Sequence, residues 1–149
     1  MTFAAAAVLF SFSPLLFSRT KGIKGQTIYV PVYSQIYHGS RGRVVDLAVT
    51  LSIHNTDMKS RIIIDSVDLY DTSGKLVRRY FSRVRSLAPL ETVQVVIAES
   101  DTGGGTGANF IVRWRSERAV NAPLIESVMI GTSGQQGISF MSRGVPVEE

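Results

Sequence analysis

The densest set of chemically usable groups in this chain lies in one run, Glu99-Ser100-Asp101-Thr102-Gly103-Gly104-Gly105-Thr106-Gly107-Ala108-Asn109-Phe110. Glycine at this density either holds backbone angles that other residues resist or lets another segment approach the main chain closely. A phosphate cradle needs such glycines to lead into a helix N-terminus. Here Asn109-Phe110-Ile111-Val112 reads as strand and no Gly-Lys-Ser/Thr occurs, so nucleotide binding is not expected. A hard-cation site would draw on Glu99, Asp101 and Asn109 with glycine carbonyls between them. Two carboxylates are few for that purpose and their spacing fits no cation loop, so no metal is expected. The reading that remains makes Asp101 and Asn109 turn caps, with Gly103, Gly104, Gly105 and Gly107 forming a structural loop between strands or a partner-binding one.

Other reactive side chains are sparse. Tyr29, Tyr33 and Tyr37 recur every four residues, and an extended chain puts Tyr29 and Tyr33 on one face. Such a row can stack a sugar or anchor an interface; it can equally cover a sheet edge. The only histidines are His38 and His54, too few for a histidine-built metal centre. No serine sits in a nucleophile elbow, and Asp65/Asp68 and Glu99/Asp101 read as bulge and turn residues rather than an acid–base pair. The chain is therefore expected to be no enzyme and to need no cofactor. Arg78, Arg79, Arg83 and Arg85 cluster in one region and Arg113, Arg115 and Arg118 in another. Were those strands neighbours, they would make a basic face for anionic lipid or an acidic partner. The net charge of +4 is moderate and interspersed with acids, so nucleic acid is not an expected partner.

The elements that would position these residues alternate apolar and polar with a period of two, the signature of half-buried strands. Thr27–Tyr33 puts Ile28, Val30 and Val32 on one face, and Pro31 marks an edge or a break. Val45–His54 points Leu47, Val49, Leu51 and Ile53 inward. Ile62–Tyr70 changes phase between Ile64 and Val67, which a bulge near Asp65-Ser66 would repair. Asp71-Thr72-Ser73-Gly74 turns the chain into Leu76–Phe81. Thr92–Ala98, then Phe110 with Val112 and Trp114, then Leu124–Ile130 and Ile138–Met141 complete about eight short strands. With turns every 8–12 residues, this spacing predicts a single all-β, immunoglobulin-like β-sandwich, with Trp114 at its core.

At 149 residues the chain suits one domain. Residues 3–17 hold only Ala, Val, Leu and Phe apart from Ser11, Ser13 and Pro14, and no charge precedes Arg19. The run is shorter than a membrane span and matches the apolar part of a secretory signal, or a short membrane anchor. Residues 1–24 are thus expected to be leader and linker, 25–144 the sandwich, and 145–149 a flexible tail. There is no cysteine, which excludes disulfides and thiolate chemistry.

Four segments carry a resemblance: Ile28-Tyr29-Val30-Pro31-Val32-Tyr33-Ser34, Leu51-Ser52-Ile53-His54-Asn55-Thr56-Asp57, the Glu99–Phe110 loop with Trp114, and Val128-Met129-Ile130-Gly131-Thr132-Ser133 followed by Gly137-Ile138-Ser139-Phe140. Over residues 27–143 the chain resembles an uncharacterised bacterial family of small exported proteins, classed as a domain of unknown function. That resemblance implies a β-rich domain outside the cytoplasm and supplies no catalytic residue. The expectation is an exported, periplasmic or membrane-anchored interaction module with an unknown protein partner at the envelope. The alternative is a carbohydrate- or small-ligand-binding domain built on Tyr29, Tyr33, Asp101 and Asn109. A flat apolar patch would mark the first, and a concave site where those four converge the second.

Overall fold

The computed structural model describes residues 22–39, 41–132 and 137–148; the expected leader lies almost wholly outside them. The described residues are all-β and form twelve strands: β1 Ile23–Pro31, β2 Gln35–His38, β3 Arg43–Asp46, β4 Ala48–His54, β5 Ile62–Tyr70, β6 Leu76–Arg79, β7 Arg85–Leu87, β8 Thr92–Ile97, β9 Asn109–Val120, β10 Leu124–Gly131, β11 Ile138–Arg143 and β12 Val145–Val147. Two antiparallel sheets enclose one core. The larger runs β12-β1-β9-β5-β6, with β7 also on β5; the smaller runs β11-β10-β4-β8. Strands β2 and β3 form a separate hairpin.

The alternation seen in the sequence decides which side chains enter the core. Ile28, Val30, Phe110, Val112 and Trp114 from the larger sheet meet Val49, Leu51, Ile53 and Met129 from the smaller, all of them buried. In β5 the inward set changes from Ile62 and Ile64 to Val67 and Leu69, and the pairing with β9 shifts register between Ile64 and Ser66. The extra residue keeps one apolar face inward along the whole strand. Ser127, fully buried, ties the layers together: its hydroxyl donates to the Pro31 carbonyl at 2.8 Å.

Two local expectations are corrected, and two short strands add to those expected. Val45–His54 is not one strand: Val45 and Asp46 belong to β3, and Leu47 leaves the ladder because its N–H donates to the Ser34 carbonyl at 2.9 Å. The segment after Ser34 continues as β2, placing the 69% exposed Tyr37 on the projecting hairpin. Arg85–Leu87 forms a strand of its own on β5. The expected tail is largely a strand, since Val145–Val147 pairs with β1 through Tyr29 and Thr27. Pro146 is tolerated there because β12 is an edge strand with no further ladder to supply.

Candidate functional site

The glycine run closes one end of the sandwich, where β8 leaves the smaller sheet and β9 enters the larger. Ala98 and Asp101 begin it with a turn, the Asp101 N–H donating to the Ala98 carbonyl at 2.9 Å. Gly105–Gly107 then makes a single 3₁₀ turn before β9 starts. Two neighbouring segments grip this loop. From the β1–β2 link, Val32 N–H donates to the Ala108 carbonyl (3.0 Å) and Ser34 N–H to that of Gly105 (3.1 Å). From the β5–β6 turn, Thr72 N–H and hydroxyl both reach the Gly104 carbonyl, at 3.1 and 3.2 Å, while the same hydroxyl accepts the Gly107 N–H at 2.9 Å.

That grip explains the glycines. A Cβ on buried Gly104 would stand 2.7 Å from Ser34 Oγ and 2.9 Å from the Ala108 Cβ. Gly105 has a φ of +75°, in the left-handed region that side chains resist. Three of the glycine N–H groups have partners inside the grip: Gly103 donates to Asp101 Oδ1, Gly105 to the Thr102 carbonyl and Gly107 to Thr72.

The four candidate ligand residues do not converge. Asp101 turns to Arg78, with Oδ2 and Nη2 3.0 Å apart, and Arg78 in turn lies over the Tyr80 ring at 5.6 Å. Burial pushes the Tyr80 phenol up, against the opposing effect of the Arg78 charge. Asn109 sits inside the larger sheet, in register with Pro31 and Tyr70. Tyr29 pairs with Ile111 and Val145 on that sheet's outer face, while Tyr33 packs its ring on Phe140 at 5.8 Å. Glu99 faces a separate open hollow beside Val44, Val45 and Asp46. No three His, Asp or Glu side chains among the described residues gather as metal ligands.

A match to the family described as "Protein of unknown function (DUF3124)" spans residues 25–147. The chain belongs to that family. No curated protein matches. Among solved structures, it is similar to one titled "Crystal Structure of Thermotoga maritima 1070", at 13% identity and a TM-score of 0.47, over 80% of this chain and 92% of that one.

In this DUF3124 domain the arginine groups also separate. Strands β6 and β9 lie on opposite sides of β5, whose carboxylates stand between them. Asp68 takes Arg113 at 3.3 Å and Arg79 at 3.7 Å, and Asp65 takes Arg115 at 3.0 Å. The continuous basic face that adjacency would have made is broken by these pairs. The acids read as bulge residues are thus arginine partners.

A different surface has the shape of a docking face. On the outer side of the smaller sheet, Val96, Thr50, Val128 and Met141 stand in one register row across all four strands. Val96 is 62% exposed, Met141 58%, and Ile130 in the next row 47%. A polar row of Gln94, Ser52, Glu126 and Arg143 borders it. The sequence marked Leu124–Ile130 and Ile138–Met141 as strands without giving their faces. What hid the patch was the sheet order, which no local pattern encodes.

Proposed function

We propose that this domain is a non-enzymatic binding module of the bacterial envelope, docking a protein partner on the outer face of its smaller sheet. The observation that carries the reading is the Val96–Thr50–Val128–Met141 row with Ile130 beside it, which sets exposed apolar side chains side by side across all four strands of one sheet. Contiguous exposed apolar area of this kind marks interaction sites in soluble domains. Export of the domain is part of the same proposal and rests on the apolar run at residues 3–17. The sugar or small-ligand alternative draws on Tyr29, Tyr33, Asp101 and Asn109, and their dispersal gives it no support.

A photo-crosslinking side chain at position 96 or 141, installed in cells, should trap a defined partner. The same group at Thr92 or Arg143, in the polar part of the face, should not. Equal trapping at all four positions would overturn the docking face. A reporter fused after Gly25 that works only in the cytoplasm would overturn export.

A further inference from the structure

Opposite the glycine loop, the end of the sandwich holds a hollow lined by Lys59, Ser60 and Arg61, leading into β5, and by Ser116, Glu117 and Arg118, late in β9. Among the described residues, none of the three cations forms an ion pair, in contrast to Arg113, Arg115, Arg78 and Arg79. Glu117 is the single carboxylate in the lining, and Asp57 stands beside it, its Oδ1 accepting the Lys59 and Ser60 N–H groups at 2.9 and 2.8 Å; three cations against these two carboxylates leave a surplus of positive charge.

The place where the chain enters the domain gives this charge a direction. A Cβ on Gly22 would lie 3.1 Å from the main chain of Ala119, the residue after Arg118. The apolar run ends at Phe17, and five residues can span at most about 18 Å. The connecting segment adds Arg19 and Lys21, and exposed Lys24 follows in β1. Whatever surface receives residues 3–17 is therefore brought to the end that carries Lys59, Arg61 and Arg118.

We infer that this basic end is a membrane-facing surface, whose hollow receives the phosphate oxygens of anionic lipid headgroups. The apolar run supplies a hydrophobic anchor, and the hollow supplies orientation. A single weak anchor combined with a basic patch is a sufficient pair of signals for lasting membrane attachment. The inference is independent of the apolar docking face, which lies on the side of the sandwich rather than its end.

The test is flotation of the full chain with vesicles of phosphatidylcholine alone or mixed with phosphatidylglycerol. The anionic vesicles should bind more tightly, and high salt should remove the difference. Each basic residue contributes roughly fivefold in affinity at an anionic surface. Arg61→Gln with Arg118→Gln should thus weaken binding to anionic vesicles by about 25-fold and leave binding to phosphatidylcholine unchanged. Arg41→Gln with Arg43→Gln removes the same charge from the β2–β3 hairpin and should change little. Equal loss in both pairs would reduce the effect to net charge and overturn the inference, as would no loss in either. Should the first pair fail to fold, Glu117→Gln gives the opposite sign: it should tighten anionic binding about fivefold, and no change would count against the site. Displacement by inorganic phosphate but not by chloride at equal ionic strength would make this a free-oxyanion site, and tight binding of duplex DNA through the same arginines a nucleic-acid site; either would overturn the membrane assignment.

Discussion

At one end of the sandwich the link between β8 and β9 is held by its neighbours' groups, whereas at the other the link between β4 and β5 is held by two of its own side chains. The glycine loop contributes carbonyls, the Gly107 N–H and empty space, and Val32, Ser34 and Thr72 supply the groups that meet them. The Asn55–Ser60 link contributes functional groups. Asn55, 1% exposed, donates from Nδ2 to the carbonyls of Ser60 and Ala88, both at 2.9 Å, and of Leu87 at 3.3 Å. Its Oδ1 accepts the Asp57 N–H at 3.0 Å. Asp57 then accepts the N–H groups of Lys59 and Ser60 on one oxygen and of Asn121 on the other. A glycine-rich link thus depends on what it lacks, and an Asx-rich one on what it carries. Substitutions at the two ends should fail for opposite reasons.

The largest effect is expected at Asn55. Replacing it with alanine takes this donor from the buried Leu87 carbonyl and the part-buried Ser60 carbonyl, while the Ala88 carbonyl keeps the Glu91 N–H; each buried group left without a partner costs about 1–3 kcal/mol. We expect Asn55→Ala to cost about 3 kcal/mol and to lower the Tm by roughly 10 °C. Asn55→Asp keeps the shape but replaces the donor with a charge that faces carbonyls. It should be worse than alanine at neutral pH and recover on acidification, because protonation restores a donor and removes the charge. A neutral melt for Asn55→Ala would show that this link is held elsewhere, and the contrast between the ends would collapse.

Next comes Gly104, where the added methyl meets Ser34 Oγ and the Ala108 Cβ inside the grip. Overpacking of this kind costs about 1–3 kcal/mol, and denaturant unfolding should show it for Gly104→Ala. Ser34→Ala removes the nearer atom, leaving its Cβ at an ordinary 3.7 Å. The double variant should therefore recover part of the loss. Gly103→Ala serves as the internal control: its nearest atom is the Asp101 carboxylate oxygen at 3.3 Å, the end of a side chain that can move. If Gly103→Ala costs as much as Gly104→Ala, the loop is strained along its length rather than gripped at one point.

Much of this was legible in the sequence where the information was local. The phase change around Asp65-Ser66 announced the bulge, and the Phe110–Val112–Trp114 alternation placed Trp114 in the core, where it is 2% exposed. The glycine run could be located and read as a structural loop. Its grip could not, because Thr72 lies 32 residues from Gly104 and its own surroundings, Asp71-Thr72-Ser73-Gly74, read only as a turn. The role of Asn55 is hidden for the same reason: Asn55-Thr56-Asp57 is locally a run of turn-forming residues, and two of the Asn55 acceptors lie on the far side of β5 in sequence. Strands β2, β3, β7 and β12 are three or four residues long, too short for alternation to outweigh Gly, Arg or Pro nearby. Their existence depends on partners, and partners are a property of the sheet.

Acid titration separates the ends by a smaller margin. The N–H groups of Lys59, Asn121 and Ser60, in that order, hold the Asp57 carboxyl below its ordinary range. A carboxylate with a depressed folded-state pKa adds stability that is present above its unfolded value near 4 and lost as pH falls through the folded value. The Ser73 hydroxyl and the Lys75 N–H do the same for Asp71, in the turn that presents Thr72 to the glycine loop. Asp57→Asn and Asp71→Asn should each flatten the acid limb of the stability–pH curve. Only the second should raise hydrogen exchange at Gly107, whose N–H donates to Thr72. Increased exchange at Gly107 in Asp57→Asn would mean that the two ends communicate, contrary to their independent construction.

The smallest effect is expected at the residue whose chemistry first drew attention. Asp101 is paired with Arg78 at 3.0 Å, but the two side chains are 30% and 47% exposed. Exposed pairs contribute about 0.2–1 kcal/mol, reduced further by salt. The Asp101 Oδ1 bond to Gly103 N–H is long, at 3.3 Å, and an asparagine oxygen can accept it equally well. Asp101→Asn should therefore shift the melt by no more than a degree or two, and the shift should disappear at high salt. Calcium should not raise the Tm, because Asp101 already faces a guanidinium and Glu99 lies at a different hollow. A strong calcium response that Asp101→Asn removes would mean that the carboxylate leaves Arg78 for a cation. The glycine loop would then be a binding site held by its own functional groups, like the opposite end, and the distinction drawn between the two ends would fail at its first residue.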